Sequence, residues 1–302
     1  MTLSSRLRAG VLLAACLAAP AFAAEQQPIL TTDRLVAQAE ADNAEAQFLL
    51  GATQLANPSD KKAAAKGVAW LERAVAKGHQ GARVMLANVL LRGTAVQIDK
   101  ARAVRLAREA AEGGNADGQV LLATLYHQGI GITRDDAQAA AWLDKAAAQG
   151  KPEAMVDLGM LYLKGEGVAQ DSVKAAELFK SAADAGNSDA ALNLAMILLK
   201  GEGQPADPGQ AARLLLKAAK AGHHGAQYNL GLLYVRGQGV ERDPVAAVKW
   251  LALAGTSTEP EMHKRADQTL KELAGPVGAT AMADGFEAAR QFMTIQGSRA
   301  GS

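Results

Sequence analysis

The chain has few of the residues that mark a disulfide-bonded or membrane-embedded protein. Its 302 residues include a single cysteine, Cys16, and aromatic residues make up 4% of the sequence. One cysteine leaves no disulfide framework within the chain and excludes Cys-x-x-Cys metal sites. No apolar run approaches the roughly 18–20 residues that a membrane-spanning helix requires.

Excess charge of either sign is also lacking. The formal net charge is +1, from 32 basic and 31 acidic residues, and without Arg6 and Arg8 it becomes −1, from 30 and 31. This balance gives no electrostatic reason to expect nucleic acid as a partner. The abundant residues are instead alanine, leucine and 30 glycines. Because alanine and leucine are strong helix formers, we expect an all-α fold with closely packed helices.

The first 23 residues read as an export signal. Arg6 and Arg8 precede a short apolar stretch at residues 9–19, and Ala21-Phe22-Ala23 supplies the small-x-small pattern of a cleavage site. We therefore expect a signal peptide over residues 1–23 and a periplasmic or secreted mature protein.

A lipoprotein is the alternative at the same end of the chain. Leu13-Ala14-Ala15-Cys16 resembles a lipobox, in which Cys16 would be acylated and become the mature N-terminus. Against this, the segment after Cys16 stays apolar and ends in the conventional cleavage site. The two possibilities differ in where the mature chain begins.

Most of the remaining sequence repeats every 36 residues. One position holds a large apolar residue in six copies: Trp70, Leu106, Trp142, Leu178, Leu214 and Trp250. Four residues later every copy has alanine, at Ala74, Ala110, Ala146, Ala182, Ala218 and Ala254. An earlier position is always leucine, at Leu50, Leu86, Leu122, Leu158, Leu194 and Leu230. Such a period is typical of stacked units that bury their apolar faces only against one another.

Each copy predicts two helices, which we call helix A and helix B. Residues 152–164 place Ala154, Leu158 and Leu161 on one helical face, and Gly165 follows as a C-cap. A second glycine gives Gly-x-Gly in four copies, which we interpret as turns because the remainder of a phosphate-loop motif is missing. Aspartates four residues later are placed to cap helix B: Asp135, Asp171, Asp207 and Asp243.

The sixth copy carries a specific motif. It consists of Ala226-Gln227-Tyr228-Asn229-Leu230-Gly231, Tyr234, Gly237-Gln238-Gly239-Val240, Asp243, Ala247, Trp250 and Ala254. This motif resembles the Sel1-like repeat, a branch of the tetratricopeptide-type solenoids. The resemblance implies a right-handed α/α superhelical solenoid of six helix-turn-helix repeats over residues 43–257, serving as a protein-interaction scaffold. The first copy departs from the pattern, with Asn57-Pro58-Ser59 in place of Gly-x-Gly and Gly67 in place of a helix-B alanine.

The flanking segments predict caps. Residues 24–42 form an N-terminal extension, in which 33–42 fit the second half of a repeat and predict a capping helix. In the C-terminal segment 258–302, a capping box at residues 258–261 opens a helix to about Ala274. A further helix is expected from about Ala279 to Met293, followed by a polar tail.

We predict no catalytic, cofactor or metal site. The histidines lack a ligand spacing such as H-E-x-x-H, and the serine-nucleophile motif G-x-S-x-G is absent. The five histidines are therefore interpreted as structural or solvated: His79, His127, His223, His224 and His263.

The predicted binding surface is the concave face, which helix A lines in tetratricopeptide-type solenoids. Helix A contributes apolar columns that include Met160, Met196 and Tyr228, and beside them a mostly basic column: Arg92, Gln128, Lys164, Lys200 and Arg236. One hypothesis is a groove with a positive rail for an acidic or amphipathic peptide. The alternative is that each cation only complements the dipole of its own helix, which is worth about 0.3–1 kcal/mol.

The functional expectation is a non-catalytic scaffold or adaptor in the bacterial cell envelope. Related repeat proteins imply a protein partner, for example within an envelope or polysaccharide-export assembly. Cysteine-rich members of the family suggest the alternative of a β-lactam or peptidoglycan-related hydrolase. Those members carry cysteine pairs in most repeats, and their lack here disfavours an enzyme.

Overall fold

A computed structural model of the protein describes residues 32–57 and 60–300, which are all-α. The helices of these residues are α1 (Thr32–Glu40), α2 (Ala44–Leu55), α3 (Lys61–Ala76), α4 (Gln80–Arg92), α5 (Lys100–Glu112), α6 (Ala116–Gln128), α7 (Asp136–Ala148), α8 (Pro152–Lys164), α9 (Ser172–Asp184), α10 (Ser188–Lys200), α11 (Pro208–Lys220), α12 (His224–Arg236), α13 (Pro244–Ala254) and α14 (Pro260–Ala300). The expected signal peptide, the lipidation alternative at Cys16, Pro58-Ser59 and the last two residues of the tail lie outside the described residues.

The helices fall into two compact units. The first comprises the described residues up to Asp157 with 166–168, and the second comprises 158–165 with the described residues from Ala169 onward. Within each unit, helix A packs against helix B of its own repeat, and helix B packs against helix A of the next. This alternation confirms the predicted solenoid-like stack of helix pairs.

Small residues at fixed positions bring these helices close together. The helix-B alanines from Ala74 to Ala254 are at most 2% exposed, and the helix-A leucines from Leu50 to Leu230 are at most 4% exposed. At Gly118, an added Cβ would lie 2.6 Å from the Cβ of Ala110 in the preceding helix B. The repeated alanine and glycine positions therefore set the distance between successive helices.

The predicted caps are confirmed. Side chains of Asp135, Asp207 and Asp243 accept the backbone N–H three residues on, at 3.0, 2.8 and 2.9 Å. Asp171 does the same for Lys174 at 2.9 Å. At the other end, left-handed glycines terminate helix A at Gly129, Gly201 and Gly237.

The second glycine of each Gly-x-Gly turn packs against the preceding repeat. Gly131 has a φ of +69°, and a Cβ added there would lie 2.7 Å from the carbonyl oxygen of Lys100. Gly167 faces the backbone of Asp136, and Gly239 faces that of Pro208, in the same way. These turns are thus inter-repeat joints, as their interpretation as structural turns requires.

The first two copies form the turn between helix A and helix B differently from the others. In the first, Asp60 caps a helix B of 16 residues, which is three residues longer than the 13-residue helix B of the second copy. Its three extra residues, 61–63, stand where the second copy has residues 97–99 before its helix B, so the period of 36 is kept. In the second copy Ala95 occupies the position of the second glycine and has a φ of +60°. A left-handed alanine is strained, because its Cβ crowds the following carbonyl oxygen.

Replacing Ala95 with glycine should therefore stabilise the protein. We expect a gain of about 0.5–1 kcal/mol, since relief of the left-handed strain exceeds the extra backbone entropy of glycine. Urea unfolding followed by circular dichroism measures the change. The matched control is Ala141→Gly, at an exposed helical position, which should lose about 1 kcal/mol. Destabilisation by both substitutions would contradict the strain at Ala95.

Helices outside the six repeat copies pack on the first and the last of them. Helix α1 packs Leu35 and Val36 against the buried Ala46 and Leu50. Helix α14 packs on α13 and is interrupted at Gly278, whose φ of 81° and ψ of 160° are not helical. The chain therefore breaks at Gly278 rather than near Ala274, and helix continues beyond Met293 through residues expected to be a polar tail.

Candidate functional site: the helix-A surface

The predicted binding residues lie on helix A of four repeats. Arg92 is on α4 in the first unit, whereas Lys164, Lys200 and Arg236 are on α8, α10 and α12 in the second. All four cations are exposed, and Met160 and Met196 are half-buried.

Within the second unit these residues form a repeated pair. Met160 and Lys164 are four residues apart on α8, and Met196 and Lys200 have the same spacing on α10. Leu232 and Arg236 continue the pattern on α12. Residues at this spacing are neighbours on a helix surface, so each apolar side chain lies beside a cation. We call Met160, Lys164, Met196, Lys200, Leu232 and Arg236 the helix-A surface.

The cations differ in their partners. Lys200 Nζ lies 3.2 Å from Glu202 Oε1, so its charge is partly balanced within the chain. Among the described residues, neither Arg92 nor Arg236 forms an ion pair with a carboxylate. Each of the four cations stands in the last turn of its helix, where it complements the helix dipole. The geometry is compatible with both hypotheses made for the basic column.

Tyr228 contacts helix α14. Its hydroxyl lies 3.2 Å from Thr269 Oγ1, and the guanidinium of Arg265 lies 5.6 Å from its ring centroid. The ring also packs on the cluster of Val248, Leu251 and Leu270. Tyr228 is therefore not part of the helix-A surface, because a helix outside the repeats covers this position.

Two histidines cap helices and join repeats. Nδ1 of His79 accepts the N–H of Ala82 at 2.9 Å, and Nδ1 of His223 accepts the N–H of Ala226 at 3.0 Å. Their Nε2 atoms lie 2.9 Å from Glu45 and 3.0 Å from Asp189 in the repeat before. Sequence reasoning missed this role, although asparagine stands at the same repeat position at Asn43, Asn115 and Asn187.

His127 belongs to a different polar cluster in the first unit. Its Nδ1 lies 2.7 Å from Asp136 Oδ1, and Arg134 Nη2 lies 2.7 Å from Asp136 Oδ2. The hydrogen bond from Arg134 lowers the pKa of Asp136 most; burial opposes this shift, and His127 lowers the pKa further. Over the described part of the chain, no three potential metal-ligating side chains come together.

Asp136→Asn should destabilise the protein at neutral pH but not in acid. A carboxyl group with a lowered pKa stabilises the fold above its ordinary pKa of 3.8, and this contribution is lost as the pH falls through the lowered value. Urea midpoints of both proteins should therefore differ at pH 7 and converge below the ordinary pKa. Asp144→Asn, exposed on the same helix, is the control. An Asp136→Asn deficit that persists unchanged in acid would contradict the assignment.

Comparison with protein families decides the classification. The sequence profile of the Sel1 repeat matches residues 44–79, 81–115, 116–151, 152–187, 188–223 and 224–257. The chain belongs to the Sel1 repeat family. The matched stretches contain both the Gly-x-Gly turns and the helix-A surface. No match appears among curated proteins.

Solved Sel1-type structures share the fold. A protective antigen present in uropathogenic Escherichia coli strains, which displays an SLR fold, superposes with a TM-score of 0.71 at 25% identity. The match covers 86% of this chain and 56% of the antigen, so the chain spans little more than half the antigen's length. A Sel1 repeat protein from Oxalobacter formigenes gives a TM-score of 0.64 at 28% identity, covering 76% of this chain and 89% of that one.

None of the helices in the described residues combines the length and apolar character needed to cross a bilayer.

Proposed function

We propose that this Sel1 repeat chain is a non-catalytic scaffold of the bacterial cell envelope that holds a protein partner on its helix-A surface. Membership of the family supports a binding role, because stacked repeats present extended surfaces built from variable side chains. The leader-like pattern of residues 1–23 supports export, and N-terminal sequencing of the mature protein would distinguish cleavage near Ala23 from acylation at Cys16.

The observation that carries the proposal is the repeated pair of an apolar residue and a cation. Met160 with Lys164, Met196 with Lys200, and Leu232 with Arg236 occupy equivalent positions in three successive repeats. Three equivalent pairs produce an apolar column with a cationic column beside it. Such a surface suits an amphipathic helix or extended segment with acidic residues along one side. Methionine adapts to differently shaped apolar partners, which suits a binding surface.

Crosslinking in intact cells followed by mass spectrometry tests the proposal. We expect the triple variant Lys164→Glu, Lys200→Glu and Arg236→Glu to lose the partner that the wild type captures. The matched control reverses three exposed helix-B lysines, Lys62, Lys66 and Lys180, and should retain it. Equal far-ultraviolet spectra and equal export of both variants exclude misfolding. Unchanged capture by the helix-A variant would show that its cations serve only the helix dipoles.

A further inference from the structure

Helices α11 and α13 of the second unit carry cations without carboxylates. Arg213, Lys217 and Lys220 are the charged residues of α11, and Lys249 is the charged residue of α13. The first three are spaced i, i+4 and i+7, which places them on one helix face. Lys249 is 36 residues after Arg213, so it occupies the same position in the next repeat.

None of these four cations forms an ion pair within the described residues. Arg213, Lys217 and Lys220 are exposed, whereas Lys249 is half-buried. The Lys249 ammonium lies 4.9 Å from the ring centroid of Trp250 and 5.0 Å from that of Phe292. Burial, followed by the like charge of Lys220, lowers the pKa of Lys249. The positive charge here is therefore partly removed from water and lacks a carboxylate counter-ion within the described residues.

The preceding helix B, α9, carries both signs of charge, with Lys174 and Lys180 beside two acidic residues. On α9, Glu177 and Asp184 occupy the repeat positions that Arg213 and Lys220 occupy on α11, and both are exposed. The cationic area consequently stops after two repeats. Along α11 it extends about 10 Å, the length of seven helical residues. A long polyanion following the same repeat positions would next meet these two carboxylates, whereas a short acidic segment would not.

We propose that Arg213, Lys217, Lys220 and Lys249, the helix-B cationic patch, dock a short acidic segment of a protein partner. An extended acidic segment of about four residues, at about 3.3 Å per residue, matches the length of the patch, and its alternate carboxylates face the patch. A bound carboxylate would supply the counter-ion missing at Lys249 and Lys220. The patch lies on helix B and is distinct from the helix-A surface.

Fluorescence anisotropy with labelled hexaglutamate tests this docking surface on the purified full chain. We expect Lys220→Glu with Lys249→Glu to weaken binding about tenfold or more, because two attractions become repulsions. The milder pair Lys220→Gln and Lys249→Gln should give a smaller loss, and it keeps the test valid should reversal at the half-buried Lys249 disturb the fold. The control pair Lys62→Glu and Lys66→Glu produces the same change in net charge on α3.

The outcomes distinguish binding at the helix-B cationic patch from non-specific electrostatic attraction to the whole protein. Retained affinity in the control pair supports the patch. Wild-type binding that is lost in high salt and restored in low salt supports it as well. Equal losses in both reversed pairs would overturn it, as would absence of binding by the wild type in low salt. Tighter binding of anionic phosphatidylglycerol vesicles or of single-stranded oligothymidylate than of hexaglutamate would also overturn the assignment to an acidic protein segment. The triple reversal on the helix-A surface should leave hexaglutamate binding in place, which separates failure of this proposal from failure of the proposed function.

Discussion

Gly167→Ala is expected to destabilise the protein by about 2–5 kcal/mol, because left-handed strain and a backbone clash act together. Gly167 has a φ of +70°, and an added Cβ would overlap the carbonyl group of Asp136. The obstacle is backbone at the start of α7, which cannot rotate away as a flexible side chain could. The joint between two repeats must therefore open, or α7 must shift.

Gly150→Ala separates the two causes of that loss. Gly150 has a φ of +82°, but nothing lies within 4 Å of its added Cβ. Only the conformational penalty of about 1–2 kcal/mol applies there. Urea unfolding of the two variants should show the larger loss at Gly167. Equal losses would mean that the close approach to Asp136 contributes nothing.

Phe179→Ala should cost about 3–5 kcal/mol, the usual range for removing a buried phenylalanine. Phe179 is completely buried in α9, whereas Phe286 on α14 is 38% exposed. Phe286→Ala removes the same atoms from a partly solvated position and should cost far less. Thermal and urea unfolding measure both substitutions. Similar losses at the two positions would contradict the described packing of Phe179.

The space for Phe179 comes from Gly159 in helix A of the same repeat. A Cβ added at Gly159 would lie 2.7 Å from Cε1 of Phe179. In the third and fifth repeats the same two positions hold alanine and leucine, at Ala123 with Leu143 and Ala195 with Leu215. We therefore expect Gly159→Ala to be destabilising alone and substantially rescued by Phe179→Leu. Strict additivity in this double-mutant cycle would rule out direct contact as the cause.

The periodic part of the fold could be predicted because its determinants are local and repeated. The aspartates that cap helix B act on amides three residues away, so the sequence around each turn contains the whole interaction. The alanine and leucine columns give the contacting faces directly. The caps at His79 and His223 are not apparent from either histidine alone, although their shared repeat position with Asn43 indicates the role.

The non-periodic parts were less accessible to sequence reasoning. Tyr228 follows the repeat pattern, but the pattern stops after Trp250 and does not specify how α14 docks. Tyr228 and Thr269 are 41 residues apart in the sequence, so their contact is tertiary and depends on how α14 docks. A search for residue types shared by all repeats also misses the helix-B cationic patch. The patch arises where the repeats differ, because its positions on α11 are basic and the equivalent Glu177 and Asp184 on α9 are acidic.

The two proposed surfaces use separate helices of the same repeats. The helix-A surface combines apolar side chains with cations, which favours a partner that buries apolar area. The helix-B cationic patch offers charge without a comparable apolar floor, which favours rapid, salt-sensitive association. One partner with an amphipathic and an acidic segment could engage both surfaces and gain affinity from the second contact.

Site-specific photocrosslinking in living cells tests the central claim most directly. A photoreactive amino acid placed at Met196 or Met160 lies on the helix-A surface, whereas the exposed Lys180 lies on helix B and belongs to neither proposed surface. The account predicts the same discrete protein adduct from both methionine positions and none from Lys180. Adducts of equal yield from all three positions, or none from either methionine, would contradict it.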